Sequence, residues 1–150
     1  VAFDVDRKML EVMRRAARRR RLAGRLVIAE GDLRGPGPLT RLDDARPLSL
    51  PAGAFDVVAV GAALEHVPLR ETLERLHRLL ARGGRLVILG VREGQAAALL
   101  GRVFRFRPYP VVEVRHALQE SGFDDIRVEQ LTTGDFPANL TRVALLARRR

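Results

Sequence analysis

Residues Leu50–Gly90 read LPAGAFDVVAVGAALEHVPLRETLERLHRLLARGGRLVILG, and the order of signals in this stretch decides the fold class. Phe55, Val57, Val58 and Val60 make a short, nearly continuous apolar run between Pro51-Ala52-Gly53 and Gly61. That pattern predicts a strand over Ala54–Val60, covered on both faces. Leu69, Leu73, Leu76 and Leu80 then fall on one helical stripe, with Glu71 and Arg75, and Glu74 and Arg78, four apart on the other side. Gly83-Gly84 is expected to stop the helix, and Arg85–Leu89 to supply the next strand. A strand, crossover helix and strand in this order is a right-handed parallel unit. Ligands collect at the carboxyl ends of such strands, which directs attention to Gly61–His66.

The phrases LPAGAFDVVAVGAALEHV and LHRLLARGGRLVI closely resemble class I methyltransferases that use S-adenosylmethionine, whose pattern runs LP-x-x-x-x-FD-x-V, then L-x-H-V, then L-x-P-G-G-x-L. Arg82 stands where that family has proline. The resemblance implies a Rossmann-like, doubly wound α/β fold. Its sheet is mostly parallel, with an antiparallel strand near the C-terminal edge.

The chain has 150 residues, enough for one domain with a sizeable core, and residues 1–150 are read as a single methyltransferase domain. No apolar run approaches the roughly 18 residues of a membrane span, and no stretch reads as a signal peptide. The absence of cysteine excludes disulfides and thiolate metal sites and fits a cytoplasmic protein. No His, Asp or Glu spacing resembles a metal site. Net charge is +9, and Lys8 is the single lysine among 27 basic residues, a skew that says nothing about partners. The arginines cluster at 14–15, 18–21, 102–107 and 148–150. They read mainly as solvated surface, with attraction of an anionic partner as the alternative.

Val1–Asp6 is an apolar strand ending in acid, with Asp6 placed to cap a helix whose apolar face holds Met9 or Leu10, Met13 and Ala17 before Gly24 ends it. Asp4-Val5-Asp6-Arg7-Lys8-Met9-Leu10 matches the family's V-D-x-S-x-x-M-L. By that resemblance Asp4 takes the ribose hydroxyls of S-adenosylmethionine, with Val5 beside it, and Met9 packs near the adenine. A carboxylate suits the ribose because its two oxygens accept from two vicinal hydroxyls.

Arg25–Glu30 predicts a third strand, and residues 33–49 form a turn-rich connection. Two acids compete for the family's adenine position. Asp44-Ala45 has the family's dipeptide and its distance to Leu50-Pro51, and is favoured; Asp32 directly follows a strand and is the alternative. The resemblance places Gly61-Ala62 along the cofactor and His66 near the acceptor. A histidine there orients a substrate or acts as a general base, or else only packs in the L-x-H-V turn. His77 and His116 are read as surface residues.

Gly94–Arg107 is expected to begin as a short helix, and in the family this region varies with substrate. Phe104, Phe106 and Tyr109 either line an aromatic acceptor pocket or serve as packing. Pro110–Ser121 predicts a helix, followed by strands over Ile126–Leu131 and Leu140–Ala147.

The family's first strand and its G-x-G-x-G loop have no match between Val1 and Arg150; Gly35-Pro36-Gly37 does not supply them. The chain is therefore read as an N-terminally truncated fragment, inactive or weakly binding. Two apolar strand edges are then expected to lack a neighbour. The functional expectation for the intact protein is methyl transfer from S-adenosylmethionine to a small-molecule acceptor. The alternatives are an RNA methyltransferase using the arginine clusters, a degenerate non-catalytic relative and, more distantly, a nicotinamide-dependent dehydrogenase.

Overall fold

Strand-forming and helix-forming stretches alternate from the first residues, and in the computed structural model, which describes residues 1–35, 37–91, 108–135 and 138–150, they assemble into two compact units, Val1–Leu50 and Pro51–Arg150.

In the first unit β1 (Ala2–Asp4) leads into α1 (Arg7–Arg19), then β2 (Ile28–Glu30), β3 (Leu39–Arg41) and β4 (Pro47–Leu48), in sheet order β1-β2-β3-β4. β1 and β2 are parallel, with Asp4 opposite Glu30. β3 runs antiparallel to β2, and β4 antiparallel to β3. Asp6 caps α1 as expected, its Oδ1 accepting from the Lys8 N–H. The helix buries Leu10 and Ala17, while Met9 stays half-exposed, so Leu10 is the core residue of the first turn. The end of α1 is corrected from Gly24 to Arg19. Arg21 takes the left-handed φ of 56°, and Leu22 N–H bonds back to Ala17 O while Arg21 N–H bonds to Arg18 O. An arginine thus closes a Schellman turn that usually takes glycine. The turn-rich connection over residues 33–49 contains the β3–β4 hairpin, anchored by buried Leu39.

The second unit holds β5 (Phe55–Gly61), a 3₁₀ turn (Leu64–His66), α2 (Leu69–Leu79), β6 (Leu80–Val91), α3 (Val111–Glu120), β7 (Phe123–Glu129), a second 3₁₀ turn (Thr133–Asp135), α4 (Ala138–Thr141) and β8 (Arg142–Arg149). Its sheet order is β5-β6-β8-β7. β5 and β6 are the parallel pair of the expected crossover unit, and β8 lies antiparallel between β6 and β7. The predicted stripe of Leu69, Leu73, Leu76 and Leu80 is buried, together with Leu86, Ile88, Leu118 and Phe123. Arg70 reaches Glu120 at 3.0 Å and ties α2 to α3.

Two further expectations are corrected here. β5 is not covered on both faces, since Val57 is 56% exposed; among the described residues the strand pairs with β6 alone. His77 is not a surface residue; it is partly buried, its ring meeting Phe123 edge-on at 5.1 Å between centroids. His116 is exposed, as expected. The expected helix at Gly94 and the residues Phe104 and Phe106 lie outside the described residues.

Candidate functional site

Within each unit, the candidate residues other than Asp44-Ala45 lie at or just past the carboxyl ends of the parallel strands. In the first unit Asp4 ends β1, and its carbonyl accepts from the Gly31 N–H at 3.1 Å, just past the end of β2. Asp4 Oδ1 accepts the Asp6 N–H at 2.8 Å. This holds the side chain in a local turn and leaves Oδ2 without a hydrogen bond among the described residues. Val5 and Met9 follow on the same rim, both apolar and both largely exposed.

The two acids considered for adenine are separated by the hairpin. β2 is parallel to β1, so Asp32, two residues past β2, sits at the same end of the sheet as Asp4. β3 runs back, and the Leu42 N–H bonds to Ile28 O at the start of β2. Asp44-Ala45, in the turn after β3, therefore lies at the opposite end of this sheet from Asp4. Asp44 Oδ1 accepts from the Arg46 N–H and stands 3.3 Å from Arg41 Nε. Ala45 adopts a left-handed φ of 57°. Beside them, Arg41 holds the Asp43 carboxyl down to about 2. Asp32 is gripped by Arg34, whose side chain forks onto both oxygens and whose N–H reaches Oδ1 at 2.8 Å. Those hydrogen bonds hold its carboxyl below the ordinary range.

In the second unit Gly61 ends β5 and Ala62 follows it. The Ala62 N–H continues the ladder to Leu89 O at 3.0 Å, and Ala62 then bends the chain through a left-handed φ of 51°. A non-glycine residue there is a strained backbone position. Both residues are exposed, and a Cβ placed on Gly61 would meet no atom within 4 Å, so the backbone can be approached closely. His66, on the 3₁₀ turn, is exposed.

Glu65, beside it, is the residue whose role the sequence reading missed. It is buried, its side chain 5% exposed, and Oε1 accepts the Val91 N–H at 2.7 Å while standing 3.6 Å from Arg142 Nη1. Oε2 is buried and has no hydrogen-bond partner among the described residues. A carboxylate flanked by the apolar Leu64 and Val67, both buried, is the only sequence signal for this. Glu65 lines a small depression with Leu64, Ile88, Val91, Tyr109 and Val143. Tyr109 donates its hydroxyl proton to Val67 O at 3.0 Å and so ties this wall of the depression to the end of the turn. Among the described residues no group of three or more His, Cys, Asp or Glu is placed to hold a metal ion. Nor is any helix among them long and apolar enough to cross a membrane.

The parallel strands, crossover helix and antiparallel closing pair define a Rossmann-like α/β fold. The methyltransferase-domain family model matches residues 1–88, more than half of the chain. The chain belongs to that family. No curated protein matches the sequence. Among solved structures, geranyl diphosphate C-methyltransferase from Streptomyces coelicolor aligns with a TM-score of 0.69 at 15% identity, covering 99% of this chain and 64% of that one. A SAM-dependent methyltransferase from Thermotoga maritima aligns with a TM-score of 0.66 at 13% identity, covering 100% and 73%. Phosphoethanolamine N-methyltransferase 2 from Haemonchus contortus, in complex with S-adenosyl-L-methionine, aligns with a TM-score of 0.70 at 15% identity, covering 98% and 42%. At these identities the likeness is one of fold. The chain spans between 42% and 73% of the length of these three solved chains.

Proposed function

We propose that the protein binds S-adenosylmethionine and takes part in methyl transfer to a small-molecule acceptor. The observation that carries this reading is Asp4 at the carboxyl end of β1, with one carboxylate oxygen committed to a local turn and the other uncommitted. That is an acceptor held in place for a ribose hydroxyl. The exposed apolar side chains of Val5 and Met9 on the same rim suit the flat face of adenine. Open backbone at Gly61-Ala62 suits close approach of a cofactor. Asp32 shares the end of the sheet on which Asp4 lies, which supports it over Asp44-Ala45 as the acceptor for the adenine amino group. When bound, S-adenosylmethionine supplies an activated methyl group, so the residues of this chain need only bind, align and exclude water. His66, exposed on the turn after β5, is assigned to orient the acceptor or take its proton. Geranyl diphosphate and phosphoethanolamine, named for two of the structural relatives, are small molecules, and the acceptor here is placed in the same broad class.

The test is amide chemical-shift mapping with S-adenosylhomocysteine, with NAD⁺ as the comparison ligand. Shifts are expected at Asp4–Met9 and Gly61–His66 with the first ligand only. Asp4→Asn is expected to weaken binding about tenfold or more, the scale of a hydrogen bond to a charged group. Asp32→Asn should weaken it and Asp44→Asn should not. Shifts with NAD⁺ alone, or with neither ligand, would sink the reading; loss through Asp44→Asn would restore that residue as the adenine acceptor.

A further inference from the structure

We infer that Glu65 is a positioning residue, a buried clamp that fixes the loop after β5 to the ends of β6 and β8. Two strand ends meet at its carboxylate, which comes from the turn after a third strand. Glu65 itself belongs to the 3₁₀ turn that leaves β5, Val91 is the last residue of β6, and Arg142 is the first of β8. Val91 and Arg142 are ladder partners, so the one carboxylate engages both halves of the terminal pair, through an N–H at 2.7 Å and a guanidinium at 3.6 Å. The first of these is a short, charge-assisted hydrogen bond. The second is an ion pair longer than a hydrogen bond. Both form in a setting where Glu65 is 9% exposed, Leu64 4% and Val67 8%. A group so withdrawn from water is strongly committed to the partners it has.

The loop needs such a tie. Ala62 holds a left-handed φ of 51°, and such conformations persist where the surroundings over-determine them. The Ala62 N–H to Leu89 O bond fixes the front of the loop, Tyr109 Oη on Val67 O fixes its end, and Glu65 fixes the middle. Gly61, Ala62 and His66 are thereby held as one rigid segment on the scaffold of β6 and β8. That this segment lines the cofactor and acceptor rests on the proposed function above; the clamp itself does not.

Hydrogen exchange of the ligand-free chain tests the clamp directly. Glu65→Ala is expected to speed exchange of the Val91 amide and of the amides from Ala62 to Val67 about tenfold or more, with Val114 and Leu118 in α3 unchanged. Glu65→Gln keeps an oxygen for the Val91 N–H and loses the charge facing Arg142. It should restore protection at Val91 and leave the loop amides faster than wild type. It also stands in if the alanine variant does not fold. Loop amides at wild-type rates in both variants would overturn the clamp. So would a uniform acceleration across the unit, which marks general destabilisation. Titration with S-adenosylhomocysteine is read separately: about tenfold weaker binding by Glu65→Ala supports positioning, and equal binding overturns that role. No shift in the wild type removes the cofactor reading while the exchange result still decides the clamp.

Discussion

His77 shows how one side chain's surroundings set a measurable property. Its Nε2 is buried with no hydrogen-bond partner among the described residues, and Gly122, at φ 91°, lies so close that a Cβ there would stand 3.0 Å from that nitrogen. Loss of solvation is the main cause that lowers its pKa, followed by the positive charge of Arg149 and then of Arg78, with the Gly122 backbone opposing them. The unfolded chain, with a value near 6.5, therefore takes up a proton before the folded chain does. Stability from neutral His77 is fully present above that value and is lost as pH falls through the lower folded value. Urea midpoints should drop between about pH 7.5 and about pH 5.5 more steeply in wild type than in His77→Gln. Parallel profiles for the two proteins would show that His77 is not the group responsible.

At the scale of elements, Gly83-Gly84 does something other than end a helix. α2 ends at Leu79 because Leu80 turns extended, with φ −70° and ψ 144°, and starts β6 at once. Leu80 pairs with Phe55, the chain leaves the ladder, and pairing resumes with Arg85 against Val57. Gly83 supplies the left-handed φ of 75° that this excursion needs. Gly84 passes so close to β5 that a Cβ would lie 2.9 Å from Ala81 O, 3.1 Å from Phe55 O and 3.2 Å from Asp56 O. All three are backbone atoms, which cannot swing aside as a flexible side chain would. Gly84→Ala should therefore cost about 1–3 kcal/mol, the range for overpacking a tight site. A denaturation midpoint within error of wild type would refute the close approach. Arg82, which replaces the family's proline, sits exposed in this excursion.

At the scale of the whole molecule, the strands divide into two four-stranded sheets, with β1 and β5 each at a sheet edge. The β5 edge carries Val57 at 56% exposure on a seven-residue strand, and a long apolar edge invites pairing with another chain. Val57→Lys is expected to reduce concentration-dependent association in light scattering while changing stability by no more than about 0.5 kcal/mol. Unchanged association would exonerate this edge. Many of the 27 basic side chains are matched by the 18 acids, some in local pairs such as Arg34 with Asp32, Arg41 with Asp43 and Arg127 with Asp125, and +9 is the excess that remains. Such pairs are built from neighbouring residues and make much of the basic composition a surface property.

The sequence by itself determined the crossover unit, the leucine stripe of α2, the Asp6 cap and the family, because each is written in local periodicity or in a short motif. Tertiary structure alone decided which end of a sheet each acid occupies. Asp44 has the family's spacing along the chain, but the chain reverses between β2 and β3, and β3 carries Asp44 to the end of the sheet away from Asp4. Strand pairing, a contact between residues distant in sequence, sets that outcome. The same reason applies to Glu65, a polar letter in the turn after β5 until the ends of β6 and β8 close around it, and to Val57, exposed on a strand whose apolar run reads as covered on both faces.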